Sequence, residues 1–219
     1  MGKALLLRRT RRAHREPREQ ERLPFGVMPN APASIPWTGD EEADRLLAAD
    51  PNALLIGFVL DQQVPVPKAF SGPKVLRDRL GHLDPARIAA MPPGDLEAVF
   101  KERPAIHRFP GSMAGRVQAL CAALATTYDG DGGRVWTEAA DGDDLAKRLG
   151  ALPGIGEMKV GSLLTLLHRQ YGLELPGLAE RVPTHPTLGG VTSAEELAEY
   201  QAGKRAAKAA KRAAAAAGD

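Results

Sequence analysis

The 219-residue sequence predicts an all-α fold, and three observations carry that prediction. Apolar residues recur three and four positions apart through much of the chain, the spacing of one helix face. Aspartate precedes proline at Asp50-Pro51 and Asp84-Pro85. That order opens helices, because the carboxylate caps free N–H groups and the first helical position needs no N–H of its own. No stretch alternates apolar and polar residues in the way a half-buried strand requires.

Residues 1–36 are Arg-rich and then Pro-rich, with too few apolar side chains to form a core, so they are expected to be a disordered arm. A helix is expected over 40–49. The next, over 52–63, is apolar on all sides (Leu54, Leu55, Ile56, Phe58, Val59, Leu60) and should be central and buried. Further helices are expected over 67–80, over 85–90 behind the Asp84 cap, and over 95–101. Ser112 is expected to cap a helix in which Val117, Leu120, Cys121 and Leu124 form the core stripe. Cys121 then reads as a small buried hydrophobe. Residues 129–133 (Asp-Gly-Asp-Gly-Gly) read as a loop that lacks the later bidentate Glu of a calcium site. Helices over 144–150 and 157–171 follow, then an irregular Gly/Pro-rich stretch over 172–191. Ser193 and Glu196 form a capping box that opens a long Ala/Lys/Arg helix running toward Gly218. The chain thus divides into an arm (1–36), a helical domain (37–203) and a basic helical tail (204–219).

Composition narrows the function. Hydrophobic residues make up 43% of the chain, enough for a buried core, while the longest apolar run, Leu54 to Leu60, is too short to span a bilayer. No membrane partner is expected. A lone cysteine excludes an internal disulfide, a four-cysteine zinc site and a cysteine-ligated iron-sulfur cluster. The five histidines show no metal-ligand spacing, so neither a metal nor another cofactor is expected. A secretory leader does not fit, because Leu5 to Leu7 is short and the arginines follow it. The expected compartment is the cytoplasm, at the nucleoid. Translation from either Met1 or Met28 is compatible with the sequence, and a start at Met28 would remove the basic arm.

The formal net charge of +2 conceals a segregation. Residues 1–22 hold eight Lys/Arg against three Glu, and residues 204–219 hold five against Asp219. The segment between holds 16 basic and 23 acidic residues. Both ends are basic and the body is acidic.

The most informative segment is Leu145 to Leu167, LAKRLGALPGIGEMKVGSLLTLL. Leu145, Leu149 and Leu152 share one helix face, and Val160, Leu163, Leu164 and Leu167 share another. Between them, Pro153-Gly154-Ile155-Gly156 leaves room only for a hairpin within 144–171. Both glycines are expected to take backbone angles closed to other residues and to leave the amides open. Those amides, with the following helix N-terminus, make a cradle for a phosphate oxygen that needs no Lys or Arg. Such a unit positions a DNA backbone without reading its sequence. The alternative is a tight turn whose glycines serve packing alone.

A buried helix ending in Leu60-Asp61-Gln62-Gln63-Val64, a helix start at Gly111-Ser112-Met113-Ala114, and LPGIG together resemble the helix-hairpin-helix (HhH-GPD) base-excision DNA glycosylases related to endonuclease III. The resemblance covers roughly 37–211 and is nearest to a small bacterial branch without the iron-sulfur cluster, whose members carry LLDQQVP-, HRFPGSMA- and PGIGEMK-like segments. It implies two helical lobes that clasp double-stranded DNA, a damaged or mispaired base flipped into the cleft, and action as a monomer. It implies a DNA contact by Pro153, Gly154, Ile155, Gly156 and Met158 of the hairpin and by Ser112 and Arg116 of the preceding helix. Gln62 or Gln63 would fill the space the base vacates, the alternative being a polar helix cap.

Two departures from the family bear on catalysis. The Schiff-base lysine position is Met158 here, and Lys159 stands one residue later, rotated about 100° around the helix. Residues 170–190 contain no Asp where the family places its catalytic aspartate. Candidate replacements are Glu180 and Asp61, with Lys159 as a candidate nucleophile and His185 as a candidate assistant. The expected function is a DNA N-glycosylase without lyase activity. The alternatives are an inactive DNA-binding module of the same fold and a helical scaffold that binds protein.

Overall fold

The computed structural model describes residues 31–216, so the basic part of the arm, the choice between Met1 and Met28 and the expected helix end near Gly218 lie outside the described residues. Among the described residues every regular element is helical, as the sequence predicts. The order is α1 (Glu41–Ala49), α2 (Pro51–Leu60), α3 (Val66–Leu80), α4 (Pro85–Ala90), α5 (Pro93–Lys101), α6 (Pro110–Thr127), α7 (Arg134–Thr137), α8 (Gly142–Gly150), α9 (Glu157–Arg169), α10 (Leu178–Arg181), a 3-10 turn (Leu188–Gly190) and α11 (Ala194–Ala216). No described helix is long and apolar enough to cross a membrane.

Every residue of α2 is buried, which follows from its lack of a polar face. Asp50 caps it by accepting hydrogen bonds from Asn52 N (2.8 Å) and Ala53 N (3.2 Å), and Pro51 takes the first helical position. α1, α3 and α6 enclose it, while α4 and α5 lie against α6. Phe58, Phe70 and Trp37 meet edge to face, with ring centroids 4.8–5.9 Å apart. Burial contributes about 1.5–3 kcal/mol for each large apolar side chain of α2, which makes this helix the main anchor of the core.

α8, α9, α10 and the 3-10 turn form a second group of helices that shares a continuous apolar core with the first. Polar contacts lock the two groups. The Trp37 indole N–H donates to Val191 O (3.1 Å), and the Tyr171 hydroxyl donates to Ala48 O (3.0 Å). Cys121 is buried, as expected, and burial pushes its thiol up to about 12.

Several boundaries differ from the sequence reading. Ile35, assigned to the arm, is buried, and its N–H donates to Asp44 O (3.0 Å). α2 stops at Leu60, before the polar run Asp61-Gln62-Gln63. Ser112 does not cap α6: the helix begins at Pro110 behind Phe109, which puts Ser112 inside the first turn, exposed. The irregular stretch 172–191 contains α10 and the 3-10 turn. Ser193 Oγ accepts from Glu196 N (3.2 Å) as a capping box requires, but the Glu196 carboxylate reaches back to Thr192 N (2.7 Å), one residue earlier. α11 then runs without interruption across the expected boundary at 203/204.

The 3-10 turn is docked on α9 by backbone approach. A Cβ on Gly189 would stand 1.9 Å from Ser162 O and 2.7 Å from Leu166 N, atoms that cannot rotate away. Gly189→Ala is therefore expected to destabilise the protein by about 3 kcal/mol, or roughly 6–12 °C in Tm, measured by thermal unfolding; an unchanged Tm would show that the turn undocks freely.

Candidate nucleic-acid interface

The hairpin is built as the sequence anticipates in outline and differently in detail. Leu145, Leu149, Leu152 and Ile155 are buried, so the Ile155 side chain is a peg into the core, and its N–H donates to Leu152 O (3.1 Å). Gly154 has φ +84°, a left-handed conformation that a side chain disfavours, and a Cβ there would meet Val59 Cγ2 at 3.2 Å. Gly156 is instead extended (φ −89°, ψ 175°), open to other residues, and faces free space. The amides of Gly154, Gly156, Glu157 and Met158 find no protein acceptor among the described residues. Together with the uncapped N-terminus of α9 they leave a run of open backbone donors. Pro153 is half-buried, and Met158, 77% exposed, stands in the first turn of α9.

Gly154 touches α2 near its C-terminus, and the polar residues that follow α2 therefore gather beside the hairpin. Asp61 is the C-cap of α2 and partly buried, with no hydrogen-bond donor to its carboxylate among the described residues. Burial raises its pKa, and the charges of Lys204 and Lys159 oppose that rise. Lys159 is partly buried and donates from Nζ to Gly154 O (3.0 Å), which braces the hairpin. Burial lowers its pKa; Asp61 works against the shift, and Arg116 adds to it.

The two glutamines part company. Gln62 is clamped: its Nε2 donates to Val59 O (3.3 Å) and its Oε1 accepts from Arg116 (2.7 Å). These two contacts fit the reading of Gln62 as a polar group at the helix end. Gln63 is exposed, its side chain makes no hydrogen bond among the described residues, and its backbone is left-handed at φ 54°, uncommon for a residue with a side chain. Of the pair, Gln63 alone has no side-chain partner among the described residues.

Sequence reasoning missed His107, which fixes this loop. Its Nδ1 accepts from Phe109 N (3.1 Å), so the proton sits on Nε2 and is donated to Gln62 O (3.0 Å). Burial lowers the His107 pKa and keeps this neutral tautomer. Beside it, Phe109 is 41% exposed, with the Arg108 guanidinium 4.6 Å above its ring. Nothing in a linear sequence marks a histidine as buried against a loop forty-five residues away.

Glu180 stands exposed on α10 with no hydrogen bond or ion pair among the described residues, and it is not among the groups that perturb Asp61 or Lys159. His185 is exposed and lines a groove of about 690 Å³ with Ile155, Gly156, Met158, Tyr200 and Lys204. No group of three or more His, Cys, Asp or Glu able to hold a metal occurs among the described residues. Compared with known families, curated proteins and solved structures, the chain matches none.

Two predictions follow from this geometry. Gly154→Ala should cost about 1–3 kcal/mol through its left-handed backbone and the contact with Val59, whereas Gly156→Ala should cost less than about 1 kcal/mol, both read by denaturant unfolding. Because burial raises the Asp61 pKa, folding favours the protonated acid; that contribution is complete below the ordinary carboxylate range and is lost as pH rises through the raised value. Asp61→Asn should therefore unfold at higher temperature than the unsubstituted protein near pH 7, with the gap closing toward about pH 3. A gap independent of pH would refute the burial argument.

Proposed function

We propose that the chain is a base-excision DNA N-glycosylase with the HhH-GPD fold, acting on a damaged or mispaired base in duplex DNA. The observation that carries this reading is the meeting of a partly buried carboxylate, Asp61, that has no hydrogen-bond donor among the described residues, with a hairpin in which the amides of Gly154, Gly156, Glu157 and Met158 are open. In it, the amides of Gly154, Gly156, Glu157 and Met158 hold one phosphate oxygen, and Arg116, locked to Gln62, adds positive charge nearby. Gln63 enters the stack when the base leaves it, and the exposed ring of Phe109 and thioether of Met158 offer apolar surface to unstacked bases. Asp61 takes a proton from water as the water oxygen bonds to the sugar C1′; the glycosidic bond breaks, and its electron pair departs with the base. The carboxylate charge stabilises the cation that develops on the sugar.

Lys159 points its Nζ at Gly154 O, which fits bracing of the hairpin and hydrolysis without strand cleavage. The same observation, with Glu180 exposed and unengaged, favours the second reading, an inactive DNA-binding module that recognises damaged or distorted DNA.

Purified protein incubated with a panel of lesion-bearing duplexes and then treated with hot alkali is expected to yield cut strands for at least one lesion. Asp61→Asn should lower that rate roughly 10²–10⁴-fold while duplex binding is kept, and Glu180→Gln should leave it unchanged. Tight lesion binding without base release on any substrate would select the inactive module, and wild-type activity in Asp61→Asn would remove Asp61 from catalysis.

A further inference from the structure

Among the described residues α11 is buried against the body only near its start. Leu197 is buried and Tyr200 half-buried, whereas residues 202–210 are all exposed. An alanine-rich helix of this length holds its own conformation without packing, so the exposed part does not need a partner in order to fold. Its charge pattern is nevertheless one-sided. From Tyr200 to Ala216 the sequence contains no Asp or Glu, and Lys204, Arg205 and Lys208 make no ion pair among the described residues. At 3.6 residues per turn these three fall within an arc of about 100°, and the sequence continues the spacing with Lys211 and Arg212.

Helix stability does not account for this arrangement. Cations favour the last turn, but Lys204 and Arg205 stand about three turns before the helix end, beyond the reach of the dipole. Lys204 and Lys208 are four apart, a like-charge spacing that costs stability. A polyanion laid along the face would remove that cost. Direction is set at Lys204: its Nζ lies 5.3 Å from the Tyr200 ring centroid, it lines the groove shared with the hairpin's Ile155, Gly156 and Met158, and its charge reaches Asp61. The opposite face is alanine, too small to anchor in a bilayer, which favours a nucleic acid over an anionic membrane.

We propose that α11 is a cationic rail for the sugar-phosphate backbone of the duplex held by the hairpin, starting at Lys204 and leading away along the helix. It rests on the DNA-binding part of the reading above. From Lys204 to Lys208 the described part of the rail rises about 6 Å along the helix axis, beside about two phosphates of one strand, and the sequence adds Lys211 and Arg212 beyond it. The hairpin amides position the backbone, and the rail supplies affinity that is blind to sequence and sensitive to salt.

The test is the salt dependence of binding to a short fluorescent lesion duplex, measured for the full chain and for the variant Arg205→Gln, Lys208→Gln, Lys211→Gln, Arg212→Gln. Lys204 is left intact because it adjoins Asp61. Gln keeps helix propensity, and circular dichroism should be unchanged. The plot of log affinity against log salt is expected to be shallower in the variant by roughly two to four, with binding near 0.1 M salt weaker by about 10-fold or more. An unchanged slope, with the unsubstituted protein still binding, overturns the rail alone; capture of that protein by phosphatidylserine vesicles together with an unchanged slope assigns the face to membranes and overturns it as well. Failure of the unsubstituted protein to bind any duplex overturns the DNA reading itself.

Discussion

A helix with no polar face must be covered on every side, and the rest of this structure depends on how α2 meets that demand. α1, α3 and α6 enclose it, and the aromatic trio of Trp37, Phe58 and Phe70 fills the space on one flank. The hairpin of the second helix group closes over its C-terminal end, where Gly154 approaches Val59. Because the apolar run ends at Leu60, the first polar residue of the chain after it, Asp61, is delivered to the seam between the groups. Position, burial and pKa of that carboxylate are consequences of covering α2.

Polar groups are left open at the seam, as they are at the buried Trp136 Nε1 and Thr187 Oγ1, while other carboxylates are engaged. Asp44 accepts from Trp37 N, Thr38 N and Thr38 Oγ1, and Asp50 and Asp84 cap helices, so each of these carboxylates is engaged. Among the described residues Asp61 has no such donor, and the amides of Gly154, Gly156, Glu157 and Met158 have no acceptor. A folded chain usually satisfies its buried polar groups, so a partly buried carboxylate without a donor stands out against the engaged ones. Around them the geometry is stiffened. His107 fastens Gln62 O, Arg116 fastens the Gln62 side chain, and Lys159 fastens Gly154 O. The open groups are therefore held in place by closed ones.

Local rules made much of this legible. Asp-Pro caps placed the start of α4 to the residue and that of α2 within one, the three-four spacing found the core stripe of α6, and LPGIG located the turn between α8 and α9. Errors arose where a distant group decided the outcome. Ser112 looked like a cap, yet the chain enters α6 at Phe109-Pro110 because the backbone there is tied to His107. Of the two hairpin glycines only Gly154 takes the left-handed backbone, because Gly156 serves as the extended N-cap of α9.

The sequence by itself determined the helical class, the buried helix, the hairpin and the segregation of charge to the ends, because each is set by neighbours within a turn or two of helix. Only the tertiary structure decided which polar residues meet. Asp61 and Lys159 are close enough to shift each other, Gln62 is clamped while Gln63 is exposed, Glu180 stands apart, and Lys204 comes to the hairpin from the far end of the chain. These residues are separated by up to about 140 positions in sequence, and their proximity follows from packing two helix groups on one core, which no local spacing rule encodes.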